Sequence, residues 1–355
     1  MRYFLGLAGL LIILMGSFYL LDKSNSPPEV APDNTVNKIK QKKNMIETKK
    51  IMERHSVPLE GEVYQWIGKN TDALTDAFGK PVRKDLSAYG YVWWVYQKRG
   101  NQYLQFGVKD NKIVTIYAIG DNLSLEPIQI GQGYESLKDN LDLLNEVTFS
   151  KSYSSYTFQL DDQELKSRPL VKLTDHIFMQ CYIDTFTNKL SAVRIVTGDV
   201  LLKHRPYAME YRGDLPEKPN PSKKEWKRIE KGREKQIFTI TNVMRNTHGK
   251  APVKWNKPIS QVAFKHSKDM AVNNYFSHYS EDGAGLKERL AANEVYYQAA
   301  GENIAAKYSD SPSAMNGWLN SEGHRQALLN TDYSHLGVGV YHYYYTQNFL
   351  KIPQS

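Results

Sequence analysis

The stretch "WLNSEGHRQALL", from Trp318 to Leu329, decides how the C-terminal part of the chain is interpreted. It is an amphipathic run that contains a glycine and a histidine, and Glu322 lies two residues before His324. Such a pair either carries chemistry or forms the polar side of a helix start. The sequence around it has to decide between these interpretations.

Helical patterns precede this stretch. The segment "EKQIFTITNVMRNTHG" has apolar residues at helical spacing and ends at Gly249. In "PISQVAFKHSKDMAVNNYFSH", His266 lies between Val262 and Met270 at helical spacing, which predicts a second helix with His266 near its apolar stripe. A further helix is predicted from Ser311 through "SAMNGWLNS".

Strand patterns dominate the end of the chain. The segment "HLGVGVYHYYYTQNFL" alternates Leu336, Val338 and Val340 around two glycines, which predicts two adjacent strands or one long hairpin. The segment "GENIAA", which begins at Gly301, is predicted to be a loop. Helices that flank a small sheet pack as a layered sandwich, so the predicted fold class is α+β.

An uncharged apolar run lies near the beginning of the chain. Residues 3–21, "YFLGLAGLLIILMGSFYLL", follow Arg2 and have the length that a membrane-spanning helix requires. The run leads into Asp22 and Lys23 without a small-x-small cleavage site, which favours an uncleaved, single-pass signal anchor over a signal peptide. Lysines over residues 38–43 follow closely, and the positive-inside rule therefore leaves the orientation open.

Two polar, proline-containing segments divide the rest of the chain. The segment after the apolar run contains "SPPEVAP" and many lysines, and it cannot bury enough apolar surface to order itself. In "RGDLPEKPNPSKKEWK", three prolines interrupt any regular element. The predicted organisation is an anchor at 1–22, a polar stalk at 23–56, an α+β domain at 57–205, a linker at 206–230 and a C-terminal domain at 231–355.

The domain at 57–205 contains a faint internal repeat. "WIGKNTDALTDAFGKP" is echoed by "QIGQGYESLKDNLDLL", and in each copy a turn with Gly68 or Gly131 leads into a short amphipathic helix. Each copy is followed by β-rich sequence that contains a predicted hairpin. The domain has no His, Cys or carboxylate cluster in motif spacing, which favours a binding or spacer module over an enzyme.

The single cysteine and the distribution of charge restrict the class of protein. Cys181 rules out an intramolecular disulfide framework, and its strand parity with Ile177 and Met179 predicts a buried side chain rather than a reactive thiol. The net charge is +8, but the lysines concentrate in Lys38–Lys50 and Lys218–Lys235, which are predicted to be linkers. No basic and aromatic motif accompanies them, so we expect no nucleic-acid partner.

Several motifs of the C-terminal domain together resemble a known family. "HSKDMAVNNYFSH", "GENIAA", "WLNSEGHRQALL", "HLGVGV" and "YYTQNF" occur in the order and approximate spacing of the CAP (SCP/PR-1-like) superfamily in its bacterial form. The succession of stalk, β-rich domain and C-terminal domain also resembles membrane-anchored envelope proteins in which a CAP-associated N-terminal domain precedes the CAP domain. The resemblance implies an α-β-α sandwich with an open cleft.

In many members of this superfamily, the centre of the cleft holds two histidines and two acidic residues. The resemblance assigns three of these groups to His278 of "FSH", Glu302 of "GEN" and His324 of "GHR". The second acid commonly lies three residues after the tryptophan, where this chain has Ser321. Its neighbour Glu322 remains a candidate, although a shift of one residue turns a helical side chain by about 100°.

The candidate residues allow two kinds of chemistry and a structural alternative. Two neutral imidazoles with a carboxylate are a common ligand set for Zn²⁺ or another divalent cation, which makes His278 and His324 the candidate metal ligands. Without metal, the same groups could act as acid and base. The structural alternatives are a helix-end cap for His278, a helix-start contact for Glu302, a turn position for His324, a solvated first-turn acid for Glu322 and a core position for His266.

Three functions follow as hypotheses. The leading one is a binding module, anchored by residues 3–21 and displayed outside the cytoplasmic membrane, whose cleft takes a divalent cation and an envelope ligand. It assigns no catalytic residue, because adjacency to His278 does not direct a base at the Ser277 hydroxyl. The second is a metal- or histidine-assisted hydrolase of peptide or cell-wall polymer. In the third, the domain at 57–205 docks a partner protein and the cleft is vestigial.

Overall fold

The computed structural model describes residues 29–32, 34–39, 59–98 and 101–353. The predicted membrane anchor at residues 3–21 lies outside them. Among the described residues, no helix is long and apolar enough to cross a membrane. They form two compact units: the first comprises Pro32–Gly232, and the second begins at Arg233 and includes the segment that ends at Ala31.

Sixteen strands occur in the described part of the chain. In chain order they are β1 (Glu29–Val30), β2 (Val36–Lys38), β3 (Arg83–Leu86), β4 (Val92–Lys98), β5 (Gln102–Lys109), β6 (Lys112–Gly120), β7 (Glu146–Lys151), β8 (Ser154–Gln159), β9 (Leu170–Lys172), β10 (Ile177–Asp184), β11 (Lys189–Thr197), β12 (Ala208–Arg212), β13 (Lys254–Trp255), β14 (Ala299–Ala306), β15 (His335–Tyr341) and β16 (Tyr344–Lys351).

The same residues contain nine α-helices and one 3₁₀ helix, Glu62–Trp66. The α-helices are α1 (Thr71–Phe78), α2 (Tyr134–Asn140), α3 (Asp162–Ser167), α4 (Gly198–His204), α5 (Lys223–Thr247), α6 (Lys257–Val272), α7 (Leu286–Ala291), α8 (Ser311–Leu319) and α9 (Glu322–Leu329).

The first unit contains a seven-stranded sheet, in the order β3-β4-β5-β6-β11-β10-β9, and a four-stranded sheet, in the order β2-β12-β8-β7. The internal repeat is visible in the larger sheet. The amide of Gly68 donates to the carbonyl of Ile113 at 2.8 Å, and the amide of Gly131 donates to that of Leu190 at 2.7 Å. Both glycines have positive φ, 84° and 85°, a conformation that glycine adopts without strain. The two copies meet where β6 pairs with β11.

Strands β1 and β2 lie in the segment that was predicted to be a polar stalk. β1 runs parallel to β14, and β2 runs parallel to β12. Each adds to the edge of a sheet; Ala31, for example, donates its amide proton to the carbonyl of Ala306 at 2.9 Å. The prediction is therefore wrong for these few residues, because a strand that joins an existing edge needs no apolar core of its own.

The second unit is a five-stranded sheet, in the order β1-β14-β16-β15-β13, with helices on both faces. On one face α6 approaches so closely that a Cβ at Gly339 would collide with the backbone nitrogen of Phe264. On the other face Gln347 of β16 donates to Thr241 of α5 at 2.7 Å. The predicted α+β class is confirmed, as is the predicted hairpin, which β15 and β16 form.

The segment "GENIAA" forms most of β14, so its prediction as a loop is wrong. The residues from Gly301 to Ala306 are all buried. A strand that is covered on both faces does not alternate polar with apolar residues, which removes the usual sequence signal. Pairing with β16 places Glu302 opposite Asn348 and Asn303 opposite Gln347.

Candidate functional site

Three predicted site residues come together in the second unit. His278 lies in the loop between α6 and α7, Glu302 lies on β14, and His324 lies in the first turn of α9. Their exposed fractions are 9%, 4% and 0%, respectively. All three side chains are therefore almost completely shielded from solvent.

An ion pair holds His278 in place. The imidazole Nδ1 of His278 lies 2.9 Å from Oε1 of Glu302. Arg289 of α7 donates from Nη2 to both oxygens of Glu302, at 2.9 and 2.7 Å. The same guanidinium donates from Nη1 to the backbone carbonyl of His278 at 2.9 Å. Arg289 thus fixes both the carboxylate and the loop, and His278 does not cap α6, which ends at Val272.

The Glu302 carboxyl group is ionised, and the positive charge of Arg289 balances its negative charge. Burial by itself raises its pKa, but Arg289, the hydrogen bond from His278 and the nearby His266 outweigh burial and lower the pKa to about 2. Its negative charge is matched by Arg289 at 2.7 Å, with side-chain exposures of 10% for the arginine and 3% for the glutamate.

His266 of α6 contacts the loop that carries His278. It is 1% exposed, which confirms its predicted core position. Its Nε2 donates to the carbonyl of Ser277 at 3.0 Å and lies 3.9 Å from Oε1 of Glu302. Burial is the main cause that lowers its pKa to about 4, so the ring is neutral at pH 7.

His324 is held by a hydroxyl instead of a carboxylate. Its Nδ1 lies 2.7 Å from Oγ of Ser321, and its backbone carbonyl accepts from Asn303 at 3.1 Å. Its Nε2 is buried and has no hydrogen-bond partner among the described residues. Burial, followed by the electrostatic effect of nearby His278, lowers the pKa of His324 to about 4.

Glu322 is separate from this cluster. It is exposed as the first residue of α9, and no hydrogen bond or ion pair joins it to the cluster in the described part of the chain. Ser321 is the N-cap residue, yet its side chain makes no cap hydrogen bond to the helix. The residue that contacts His324 is therefore Ser321, while Glu322 points elsewhere because it lies one helical position further on.

Two histidines of this cluster are candidate ligands for a divalent cation. Among the described residues, no three His, Cys, Asp or Glu side chains converge as a metal site. Glu302 is paired with Arg289 and His278, so the candidate ligands in this cluster are the imidazole side chains of His278 and His324. In metal sites a ligating histidine usually has its second ring nitrogen held by an oxygen group, and here Glu302 and Ser321 hold the two Nδ1 atoms. The unpartnered Nε2 of buried His324 is the observation that supports the fit.

The sequence did not reveal how three residues build the site. Arg289 is one of several charged residues in "GLKERLAANEV" and carries no motif signal. The role of His266 beneath the loop depends on a contact between α6 and residue 277 that spacing does not reveal. At Ser321 the sequence indicates only that the family's usual acid is absent.

Comparisons with known proteins agree with this architecture. The family model "CAP-associated N-terminal" matches residues 67–207, and "Cysteine-rich secretory protein family" (CAP) matches residues 238–351. The uncharacterised membrane protein YlbC of Bacillus subtilis is 41% identical over 342 residues, which cover 96% of this chain and 97% of that protein. The uncharacterised protein YkwD of the same organism is 35% identical over 106 residues, 30% of this chain and 41% of its own length.

Two solved structures are similar over most of the chain. A crystal structure of an extracellular protein containing a SCP domain, from Bacillus anthracis, has a TM-score of 0.77 and 40% identity, and the match covers 88% of this chain and 100% of that one. A cysteine-rich secretory protein from Staphylococcus aureus has a TM-score of 0.75 and 26% identity, with coverage of 92% and 99%. The chain therefore belongs to the cysteine-rich secretory protein (CAP) family, in the form whose CAP domain follows a CAP-associated N-terminal domain.

Proposed function

We propose that this chain is an envelope protein whose CAP domain binds a divalent cation, Zn²⁺ in the first instance, through the imidazoles of His278 and His324. Water or a ligand from the cell envelope completes the coordination of the ion. The protein is a binding module in this account, and no residue is assigned a catalytic role.

One observation carries the proposal. His324 is 0% exposed, and its Nε2 has no hydrogen-bond partner in the described part of the chain, whereas Ser321 occupies Nδ1. A buried nitrogen without a partner costs free energy unless a ligand satisfies it. The ring is neutral at pH 7, which is the form that coordinates metal.

The proposed location rests on the first residues of the chain and on the relatives. Residues 3–21 are apolar and long enough to form a membrane anchor, and similar proteins are described as a membrane protein and as an extracellular protein. In intact cells, external protease should remove a C-terminal epitope tag but spare a tag placed before residue 3. The opposite pattern would contradict the proposed orientation.

Titration calorimetry with Zn²⁺ tests the cation site. Wild type should bind near one equivalent, and His278→Ala and His324→Gln should each abolish this binding, because each removes one of two protein ligands. His176→Ala, which removes an exposed histidine of the first unit, is the control and should bind like wild type. Absence of saturable binding, or binding that survives both site substitutions, would overturn the proposal.

A hydrolase is the second candidate, favoured by the 2.7 Å contact between Ser321 and His324. For Ser321 to act as a nucleophile, Nδ1 must accept its proton, and Nε2 must then carry a proton without an acceptor among the described residues. In the reverse tautomer Nδ1–H donates to Ser321, and Nε2 is a lone-pair acceptor that a bound cation can satisfy, which favours the binding module. Turnover of an ester or peptide substrate that Ser321→Ala abolishes would reverse this preference.

A further inference from the structure

We infer that the first unit has a binding site of its own, a cavity at one end of its seven-stranded sheet, and that this cavity takes a short peptide with a free amino group and a free carboxylate. All residues that line the cavity belong to Pro32–Gly232. The site is independent of the cation site in the second unit, so neither proposal depends on the other.

The cavity has a volume of about 380 Å³. It is lined by the turn between β3 and β4, the turn between β5 and β6, residues 219–221 and the first two turns of α5. Ligand pockets usually measure roughly 300 to 1,000 Å³, and this cavity lies near the lower end of that range. The volume therefore favours a peptide of very few residues over a longer chain.

Part of the lining is apolar. Leu86, Val92 and Val108 form a row across β3, β4 and β5, because Leu86 pairs with Val92 and Val92 pairs with Val108. Directly paired residues of an antiparallel sheet project from the same face. Pro219 and Ile229 add apolar surface from the linker and from α5. Such a lining can bury the aliphatic side chains of a ligand.

The wall that contains the prolines is held at both ends. Before it, Arg205 donates from Nη2 to the carbonyl of Pro216 at 2.7 Å. After it, the amide of Ser222 donates to Oε2 of Glu225 at 2.8 Å, and the amide of Glu225 donates to Oγ of Ser222 at 3.3 Å, as in a capping box. Proline restricts the backbone between these contacts. Because this wall is already ordered, a ligand loses little free energy in ordering it.

One set of polar groups suits a carboxylate. Lys109 lines the cavity, and its Nζ lies 4.0 Å from Oδ2 of Asp110 in a pair whose side chains are both exposed. Such a pair contributes little and leaves the ammonium able to bind a ligand. Ser87 also lines the cavity, and its Oγ accepts from the amides of Tyr89 and Tyr91 at 3.1 and 3.3 Å. With both lone pairs used, the hydroxyl proton can donate to a ligand oxygen.

A carboxylate of the lining suits an ammonium group. Oε2 of Glu225 accepts from the amide and the hydroxyl of Ser222, at 2.8 and 2.7 Å, and these hydrogen bonds lower the pKa of Glu225. Glu225 is therefore ionised at pH 7, and these contacts leave its Oε1 for a ligand. The lining thus combines charges of both signs with apolar surface. A zwitterionic peptide with aliphatic side chains matches all three features, whereas a simple anion or cation would also meet a like charge.

Saturation-transfer difference NMR on the full-length protein tests the site with the dipeptide Ala-Val and its capped forms. Ala-Val should bind saturably, with a dissociation constant of roughly 1 mM for a ligand with so few non-hydrogen atoms. N-acetyl-Ala-Val lacks the ammonium, and Ala-Val amide lacks the carboxylate. Each should bind about fivefold more weakly, as expected for the loss of one exposed charge pair.

Two substitutions assign the two ends of the peptide. Lys109→Met should weaken Ala-Val by about fivefold and should not weaken Ala-Val amide, which has no carboxylate to lose. Glu225→Gln keeps the capping box but removes the charge, so it should weaken Ala-Val and not N-acetyl-Ala-Val. The controls Lys112→Met and Glu217→Gln remove the same charges at exposed positions outside the lining and should bind like wild type.

Binding of Ala-Val that depends on both of its charges and on both lining residues supports the inference. Three results would each overturn it: no saturable binding of Ala-Val up to about 10 mM, equal binding of the free and capped peptides, or binding that neither lining substitution weakens. All three leave the cation site untouched, because zinc binding by the second unit is measured separately.

Discussion

The two sides of the site hold their imidazoles by different means. On the acid side, which comprises His266, His278, Arg289 and Glu302, full charges fix the ring of His278. On the hydroxyl side, which comprises Ser321 and His324, one neutral hydrogen bond fixes the ring. The two sides should therefore respond differently to substitution. Removing one partner of the buried ion pair leaves an uncompensated charge and should lower the free energy of unfolding strongly, whereas removing the hydroxyl loses one neutral hydrogen bond and should lower it less.

The largest effect is expected from breaking the ion pair. Arg289→Met leaves the Glu302 carboxylate buried without its counter-charge, and we expect the free energy of unfolding to fall by about 3 to 5 kcal/mol. Urea denaturation measures this loss. Lys287→Met, at an exposed position of the same helix, should change the stability little.

A double substitution tests whether the lost charge is the cause. Arg289→Met combined with Glu302→Gln removes both charges and should recover part of the stability that Arg289→Met alone loses. If the double variant is as unstable as the sum of the two single variants, the acid side is held by packing and not by the ion pair.

Acid should weaken both sides of the site. The pKa of His266 and that of His324 are lowered to about 4 from an ordinary value of 6.5, so the unfolded chain binds more protons than the folded chain between these values. The stability is fully present above pH 6.5 and is lost as the pH falls towards 4. Between pH 7 and pH 5, each histidine should cost about 2 kcal/mol.

Glu302 extends this acid sensitivity to lower pH, because its pKa is lowered from 4.5 to about 2 and its contribution is lost within that window. Urea midpoints across the pH range measure the combined effect. His324→Gln should flatten the slope between pH 7 and pH 5 by its own share. An unchanged slope in that variant would show that His324 is not kept neutral by the fold.

Removing the hydroxyl contact should have a smaller effect. Ser321→Ala loses one hydrogen bond, and we expect a decrease of about 1 kcal/mol in the free energy of unfolding. The nitrogen chemical shifts of the His324 ring should also change, since Ser321 selects its tautomer. Ring shifts identical to those of wild type would mean that the hydroxyl does not orient the imidazole.

The smallest effect is expected at Glu322. Because its side chain is exposed and separate from the cluster, Glu322→Gln should change the stability by less than about 0.5 kcal/mol and leave zinc affinity within error. Calorimetry checks this result. A marked loss of zinc affinity would restore Glu322 as the missing acid of the site.

The fold and part of the site were predictable because short motifs encode local structure. The spacing around His266 predicts its helix, and the alternation around Gly337 and Gly339 predicts the final hairpin. The strand that carries Glu302 was not predictable, because both of its faces are buried and its residues do not alternate.

The remaining parts of the site depend on contacts between distant segments. Arg289 reaches Glu302 only through the packing of α7 beside β14, and the sequence of α7 resembles that of any charged surface helix. One helical position separates Ser321 from Glu322, and only the three-dimensional start of α9 decides which of them contacts His324.

The central claim is that His278 and His324 share one cation. The most direct measurement is anomalous X-ray scattering at the zinc absorption edge, from crystals of the protein grown or soaked with zinc acetate. We predict one strong peak about 2.0 to 2.1 Å from a ring nitrogen of each histidine. Zinc confined to surface residues, with no peak between His278 and His324, would contradict the account.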